Sequence, residues 1–111
     1  MSKYHAKKTV VDSIQFDSKA EARYYVELKL LKRAKKIKDF DLQPEFVLVE
    51  PFKKNGKTFR AVKYIADFLV TNLDGSEEVV DVKGMATPVY RLKKTLFESK
   101  YPHLTIKEVR R

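Results

Sequence analysis

Two turn dipeptides, Asn55-Gly56 and Asp74-Gly75, constrain this chain more than anything else in it. Each sits between runs rich in β-branched and aromatic residues. Asn-Gly and Asp-Gly supply the left-handed backbone that tight hairpins require. Three consecutive strands are therefore expected, over residues 42–50, 59–71 and 77–83. Pro44 has no N–H to give a ladder, which marks an edge or an irregular start for the first of them. Ahead of the strands, Ser18-x-x-Glu21 has the capping-box pattern, and good helix formers follow to about residue 36. Behind them, Thr87-Pro88 supplies the cap and first turn of a second helix, which Pro102 stops after about residue 100. Residues 104–109 alternate as a last strand, and residues 13–16 form a short extended piece. The order α-β-β-β-α-β predicts an α/β sandwich, a mixed sheet flanked by helices.

The 111 residues suit one domain. Lys3, His5, Lys7 and Lys8 make residues 1–12 a basic arm, either a DNA-tracking tail or a frayed terminus, ahead of a single domain over 13–111. With 43% hydrophobic and 35% charged residues, the composition is that of a globular chain and not a disordered one. No apolar run approaches the roughly 18 residues of a membrane span. The opening residues lack the apolar stretch of a signal peptide, and there is no cysteine, so the expected setting is cytoplasmic with no membrane partner. Lysine and arginine number 24 against 15 acids, a net charge of +9, which favours polyanionic partners.

The chemistry concentrates on the second hairpin. If Asn72 faces Ser76 across the Asp74-Gly75 turn, Asp67 lies opposite Asp81 and Ile65 opposite Lys83. Side chains alternate along a strand, so Asp67, Asp81 and Lys83 share a face with Leu69 and Val79. Tyr64, Phe68, Val70, Val80 and Val82 fall on the other face. Two aspartates opposed across half-buried strands repel each other. The repulsion raises one pKa or recruits a cation, and hard carboxylate oxygens suit Mg²⁺ or Mn²⁺. The alternative is a structural Asp–Lys ion pair. Glu21 falls within the helical stripe of Tyr24, Tyr25 and Leu28, either as a metal or water ligand or as the acid of the capping box. Lys93 falls among Val89, Leu92, Leu96 and Phe97, either snorkelling to a helix edge or reaching a phosphate. Arg91 and Lys94 are solvated or track phosphates. Gln43 orients a water, contacts DNA or merely turns the chain. There is no P-loop, no His-Glu-x-x-His and no dinucleotide-binding glycine turn.

Asp67 followed by Asp81-Val82-Lys83 resembles the signature of the PD-(D/E)XK nuclease superfamily, and Glu21 resembles its frequent extra acid. Five stretches extend the likeness over almost the whole chain: Phe16-Asp17-Ser18-Lys19-Ala20-Glu21-Ala22, Leu42-Gln43-Pro44, Tyr64-Ile65-Ala66-Asp67-Phe68, Val80-Asp81-Val82-Lys83-Gly84 and Tyr90-Arg91-Leu92-Lys93. They are similar to a family of short phage and prophage proteins often described as similar to archaeal-type Holliday junction resolvases. Ala66 departs from the superfamily pattern, in which a proline often precedes the first aspartate.

The resemblance implies a restriction-endonuclease-like core and a Mg²⁺- or Mn²⁺-dependent deoxyribonuclease in the cytoplasm of a bacterial host, acting on DNA, branched DNA in particular. Asp67 and Asp81 are expected to hold the metal, with the Val82 carbonyl and Glu21 as further ligands. Lys83 is expected to position and deprotonate water. Lys93, Arg91, Gln43, Lys94, Lys7 and Lys8 are the expected nucleic-acid contacts. A homodimer is expected of an enzyme that cuts two strands. The competing expectations are a non-catalytic nucleic-acid-binding module and a protein-interaction component of phage replication or packaging.

Overall fold

A computed structural model describes residues 8–82 and 87–110. The chain opens with a small hairpin, β1 (Thr9–Val11) and β2 (Ile14–Phe16), turned by Asp12 and Ser13 at φ 54° and 65°. The expected basic arm is thus structured from Thr9. The Asp12 carboxylate accepts hydrogen bonds from Tyr25 Oη at 2.9 Å and from Lys29 Nζ. These bonds pin the hairpin to α1 (Lys19–Arg33), whose cap is Ser18 as the sequence suggests.

Helix α1 ends three residues before the expected point, for a reason carried by backbone geometry. Lys35 takes φ 60°, its N–H bonds the Lys32 carbonyl at 3.0 Å, and the Lys36 N–H reaches the Leu31 carbonyl at 2.8 Å. This is a Schellman closure, which glycine usually makes. A lysine in that position gives no sequence signal.

The strands that follow are β3 (Asp39–Leu42), β4 (Glu45–Val49), β5 (Phe52–Lys54), β6 (Lys57–Phe59), β7 (Val62–Ile65), β8 (Phe68–Thr71) and β9 (Glu77–Val82). Two expected single strands, 42–50 and 59–71, are thus broken into pieces. They nevertheless form one long bent hairpin. Leu42 pairs with Phe68 and Glu45 with Ile65, so the register crosses the break without gaining or losing a residue. The bend lies at Gln43-Pro44 and Ala66-Asp67. Ala66 N–H donates to the Pro44 carbonyl at 3.1 Å, but proline has no N–H to return, so the ladder opens there. Gln43 absorbs the turn at φ 47°.

After β9 the chain forms α2 (Pro88–Lys100), capped by Thr87, and ends in β10 (Ile106–Val109). Strand β10 lies parallel to β9, which pairs antiparallel with β8, and β8 with β3, in a four-stranded mixed sheet. Helix α1 packs on one face, where Tyr24, Tyr25 and Leu28 meet Phe68, Val70, Val80 and Val82. Helix α2 covers the other, where Tyr90 and Phe97 meet Val79, Leu104, Ile106 and Tyr64. The protein is therefore an α/β fold with a mixed sheet between helices, as expected. Two local expectations fail. Val89 and Leu92 are 63% and 61% exposed, because Tyr90 and Phe97 define the buried side of α2. Tyr64 lies on the α2 side and not with Phe68, because the bend at Ala66-Asp67 reverses which face the chain presents.

Candidate functional site

The bend in the long hairpin builds the site. The turn register is the expected one: Asn72 N–H bonds the Ser76 carbonyl at 2.8 Å, and pairing continues through Thr71–Glu77 to Phe68–Val80. One step further the strand leaves the ladder. Hydrogen-bonded pairs recur at every second residue of an antiparallel ladder, so the Val82 N–H is the next one due to reach the facing strand. It meets the Asp67 carboxylate instead, at 2.7 Å, while Asp67 N–H holds the Val80 carbonyl at 3.1 Å. On the other side the Asp67 carbonyl accepts from Gln43 N–H at 2.9 Å. Asp67 is thus gripped by both neighbouring strands at the fork between them.

Asp81 is the one charged side chain buried among the described residues, 3% exposed. Its carboxylate accepts a hydrogen bond from Tyr64 Oη at 2.5 Å. Burial and the acceptor carboxylate of Asp81 together raise the Tyr64 pKa, so the phenol stays a donor. Glu21 enters from the first turn of α1, where its N–H donates to Ser18 Oγ at 3.1 Å. Its carboxyl lies close enough to those of Asp67 and Asp81 for the three to perturb one another. The two readings of Glu21 are therefore compatible: its N–H caps the helix at Ser18, and its carboxyl lies beside both Ser18 and Asp67.

Three acids in contact cannot all ionise cheaply. Burial, then the neighbouring Glu21 and Asp81 charges, push Asp67 up to about 8, even though the Val82 N–H favours its anion. Glu21 is also raised, by burial first and then by Asp17 and Asp81. At neutral pH Asp67 therefore keeps a proton.

Two clefts open on this cluster. Glu21, Gln43 and Asp67 line one of about 120 Å³, walled by Ile14, Gln15, Phe16 and Leu42. Asp81, Lys93, Lys63 and Thr87 line the other, of about 270 Å³, with Tyr64, Ile65, Val89 and Tyr90. Lys93 thus shares a cleft with the buried aspartate. Arg91 is exposed and lines neither cleft. Lys94 pairs with Glu108 on β10 at 3.4 Å, beside the Tyr90 hydroxyl, which donates to the same carboxylate at 2.6 Å. Lys8 is exposed ahead of β1. Lys7 and Lys83 lie outside the described residues.

The donor set suits a hard divalent cation, since it is made of carboxylate oxygens whose mutual repulsion such an ion relieves. Among the described residues no three acidic or histidine side chains are already arranged as a formed metal site. Asp67 is instead held by the Val82 N–H and Asp81 by the Tyr64 hydroxyl.

Sequence reasoning missed Tyr64, which the bend brings to Asp81, and Lys63, which lines the same cleft while pairing with Glu45 at 3.3 Å. Pro44 carried the signal that the ladder opens, but not the direction of the turn that follows. No described helix is long and apolar enough to cross a membrane. No curated protein and no solved structure matches the chain. A family model described as "Protein of unknown function (DUF1064)" matches residues 1–111, so the chain belongs to that family.

Proposed function

We propose that this protein is a metal-dependent endonuclease that hydrolyses DNA phosphodiester bonds. The observation that carries the proposal is the convergence of Glu21 from α1, Asp67 at the bend and buried Asp81 on β9, where burial and mutual repulsion raise Asp67 and Glu21. A buried acid cluster of this kind is costly to the fold, and such perturbed groups concentrate where chemistry is done.

In this reading Asp67 and Asp81 hold Mg²⁺ or Mn²⁺, with Glu21 beside them and the Val82 carbonyl as a further ligand. The bound ion supplies Lewis acidity toward the scissile phosphate. Loading the site requires Asp67 to surrender its proton. Tyr64 fixes the Asp81 carboxylate through its hydroxyl, the kind of support that keeps a ligand oriented. Lys93, in the cleft with Asp81, holds a phosphate oxygen. Lys83, two residues beyond Asp81, positions and deprotonates the attacking water. Gln43 and the basic residues Lys7, Lys8 and Arg91 make further nucleic-acid contacts. Lys94 contributes less, because Glu108 already engages it.

The +9 net charge supports a polyanionic substrate. Branched DNA is the substrate class, a dimer the form that cuts two strands, and the cytoplasm of a phage's bacterial host the setting.

The test is incubation with labelled four-way junction, flap and linear duplex DNA, with and without Mg²⁺ or Mn²⁺, alongside Asp81→Asn and Lys83→Ala. Metal-dependent cutting lost in both variants is expected, and the substrate that is cut names the subclass. Tight binding without cutting under either metal, unchanged in the variants, replaces the proposal with a non-catalytic nucleic-acid-binding module.

A further inference from the structure

The tip of the long hairpin takes no part in the acid cluster. Strands β5 and β6 form a two-stranded ribbon around Asn55-Gly56, and every residue from 51 to 60 is exposed. This segment contains Lys53, Lys54, Lys57 and Arg60 and no acid. None of these four cations forms an ion pair with another described residue. Lys54 and Lys57 are direct cross-strand partners, an unfavourable pairing of like charges.

Cross-strand partners share a face, and so do residues two apart. Phe52 and Phe59 are therefore on the same face as the two lysines. Their rings stack 4.7 Å apart at 10°, yet they remain 46% and 39% exposed. Lys57 lies over the Phe59 ring, 5.9 Å from its centroid. An aromatic platform beside opposed cations, held out in solvent, matches a ligand that combines negative charge with flat apolar rings. Nucleic acid has both. The stacking face of a base is open only where the base is unpaired, which a regular duplex does not provide.

We infer that the β5–β6 ribbon is a grip for an unpaired nucleic-acid strand, stacking a base on Phe52 while Lys54 and Lys57 hold the flanking phosphates. The inference rests on the nucleic-acid reading of the acid cluster and deepens it, because it makes the preferred substrate one with an exposed single strand. The ribbon continues directly from the strands that carry Gln43 and Asp67. Ten residues of extended chain, at about 3.3 Å each, put the grip at most about 33 Å from Asp67. That is close to the length of one duplex turn, ~34 Å, so strand and scissile bond are held at different places.

The experiment is fluorescence anisotropy of the full chain in EDTA, where nothing is cut, with labelled oligothymidylate and with a blunt duplex, across a salt series. Wild type is expected to prefer the oligothymidylate. Phe52→Ala is expected to weaken that binding about tenfold with its salt slope unchanged, and Phe52→Tyr to restore it. The double variant Lys54→Ala/Lys57→Ala is expected to reduce the salt slope by about 1.4. Unchanged melting temperatures establish that the variants fold. Phe52→Ala and the double lysine variant both binding as wild type, with its salt slope, overturns the grip, and leaves the nuclease standing if wild type still cuts. Ribbon-dependent binding by a chain that never cuts supports the grip and removes the nuclease. Wild type that binds neither DNA overturns the grip, and leaves the nuclease to the cutting assay with metal.

Discussion

At the residue scale, Asp67 is where burial and charge pull in opposite directions. Its folded-state pKa, about 8, lies far above its ordinary 3.8. Across that window the native state binds more protons than the unfolded chain, so stability falls as pH rises and stays low above it. Asp67→Asn keeps an oxygen to accept from the Val82 N–H and removes the charge. Thermal melting is expected to show the wild type losing stability from pH 5 to 9, following that window, and the variant declining less. The variant should be the more stable above the Asp67 value while failing to cut. Tyr64→Phe tests the other aspartate. Removing the phenolic donor from buried Asp81 is expected to lower metal affinity tenfold to a hundredfold, measured by Mn²⁺ titration. The same variant is expected to lose about 1–3 kcal/mol in urea denaturation. The turn register was legible in the sequence as far as Phe68–Val80, but not the departure from the ladder that turns Asp67 onto the Val82 N–H. Nor was Tyr64, because strict alternation from Phe68 assigns it to the wrong face.

At the element scale, what stayed hidden is where the backbone departs from regularity. A register carried from the Asn55-Gly56 turn opposes Pro44 to Asp67. An irregularity between Val47 and Val49 inserts one residue, and the Pro44 carbonyl meets Ala66 instead. Nothing in the Val47-Leu48-Val49 stretch announces a bulge, since these residues suit a regular strand equally well. The missed end of α1 has the same character. Lys35 sits in the left-handed region that lysine occupies at a cost and glycine does not. Lys35→Gly is expected to stabilise the protein by about 0.5–1 kcal/mol, read as a rise of a few degrees in melting temperature. A fall would mean that the Lys35 side chain contributes more than its backbone costs.

At the scale of the whole molecule, the class of fold was legible and its layering follows from it. The order of helix and strand signals allowed a mixed sheet between helices, and Val79 and Val80, on opposite faces of β9, are both fully buried. Phe97 anchors the α2 layer with edge-on contacts to Phe46 and Tyr64 and a stacked one to Tyr101. Phe97→Ala is expected to cost about 3–5 kcal/mol, a large share of the roughly 5–15 kcal/mol that holds a domain together. A loss below about 1 kcal/mol in urea denaturation would contradict the layer described. The same two layers hold Glu21, Asp67 and Asp81 together from α1, the bend and β9, so the acid cluster is a product of the complete fold. The proposed function requires that a divalent cation take the place of the proton that burial and repulsion favour there. The direct measurement is calorimetric titration of Mn²⁺ into the protein at neutral pH, in two buffers of different ionisation enthalpy. The expected result is binding that releases about one proton per chain, with the release lost in Asp67→Asn and well above the Asp67 pKa. Binding with no proton release at neutral pH, or no binding at all, would contradict the claim.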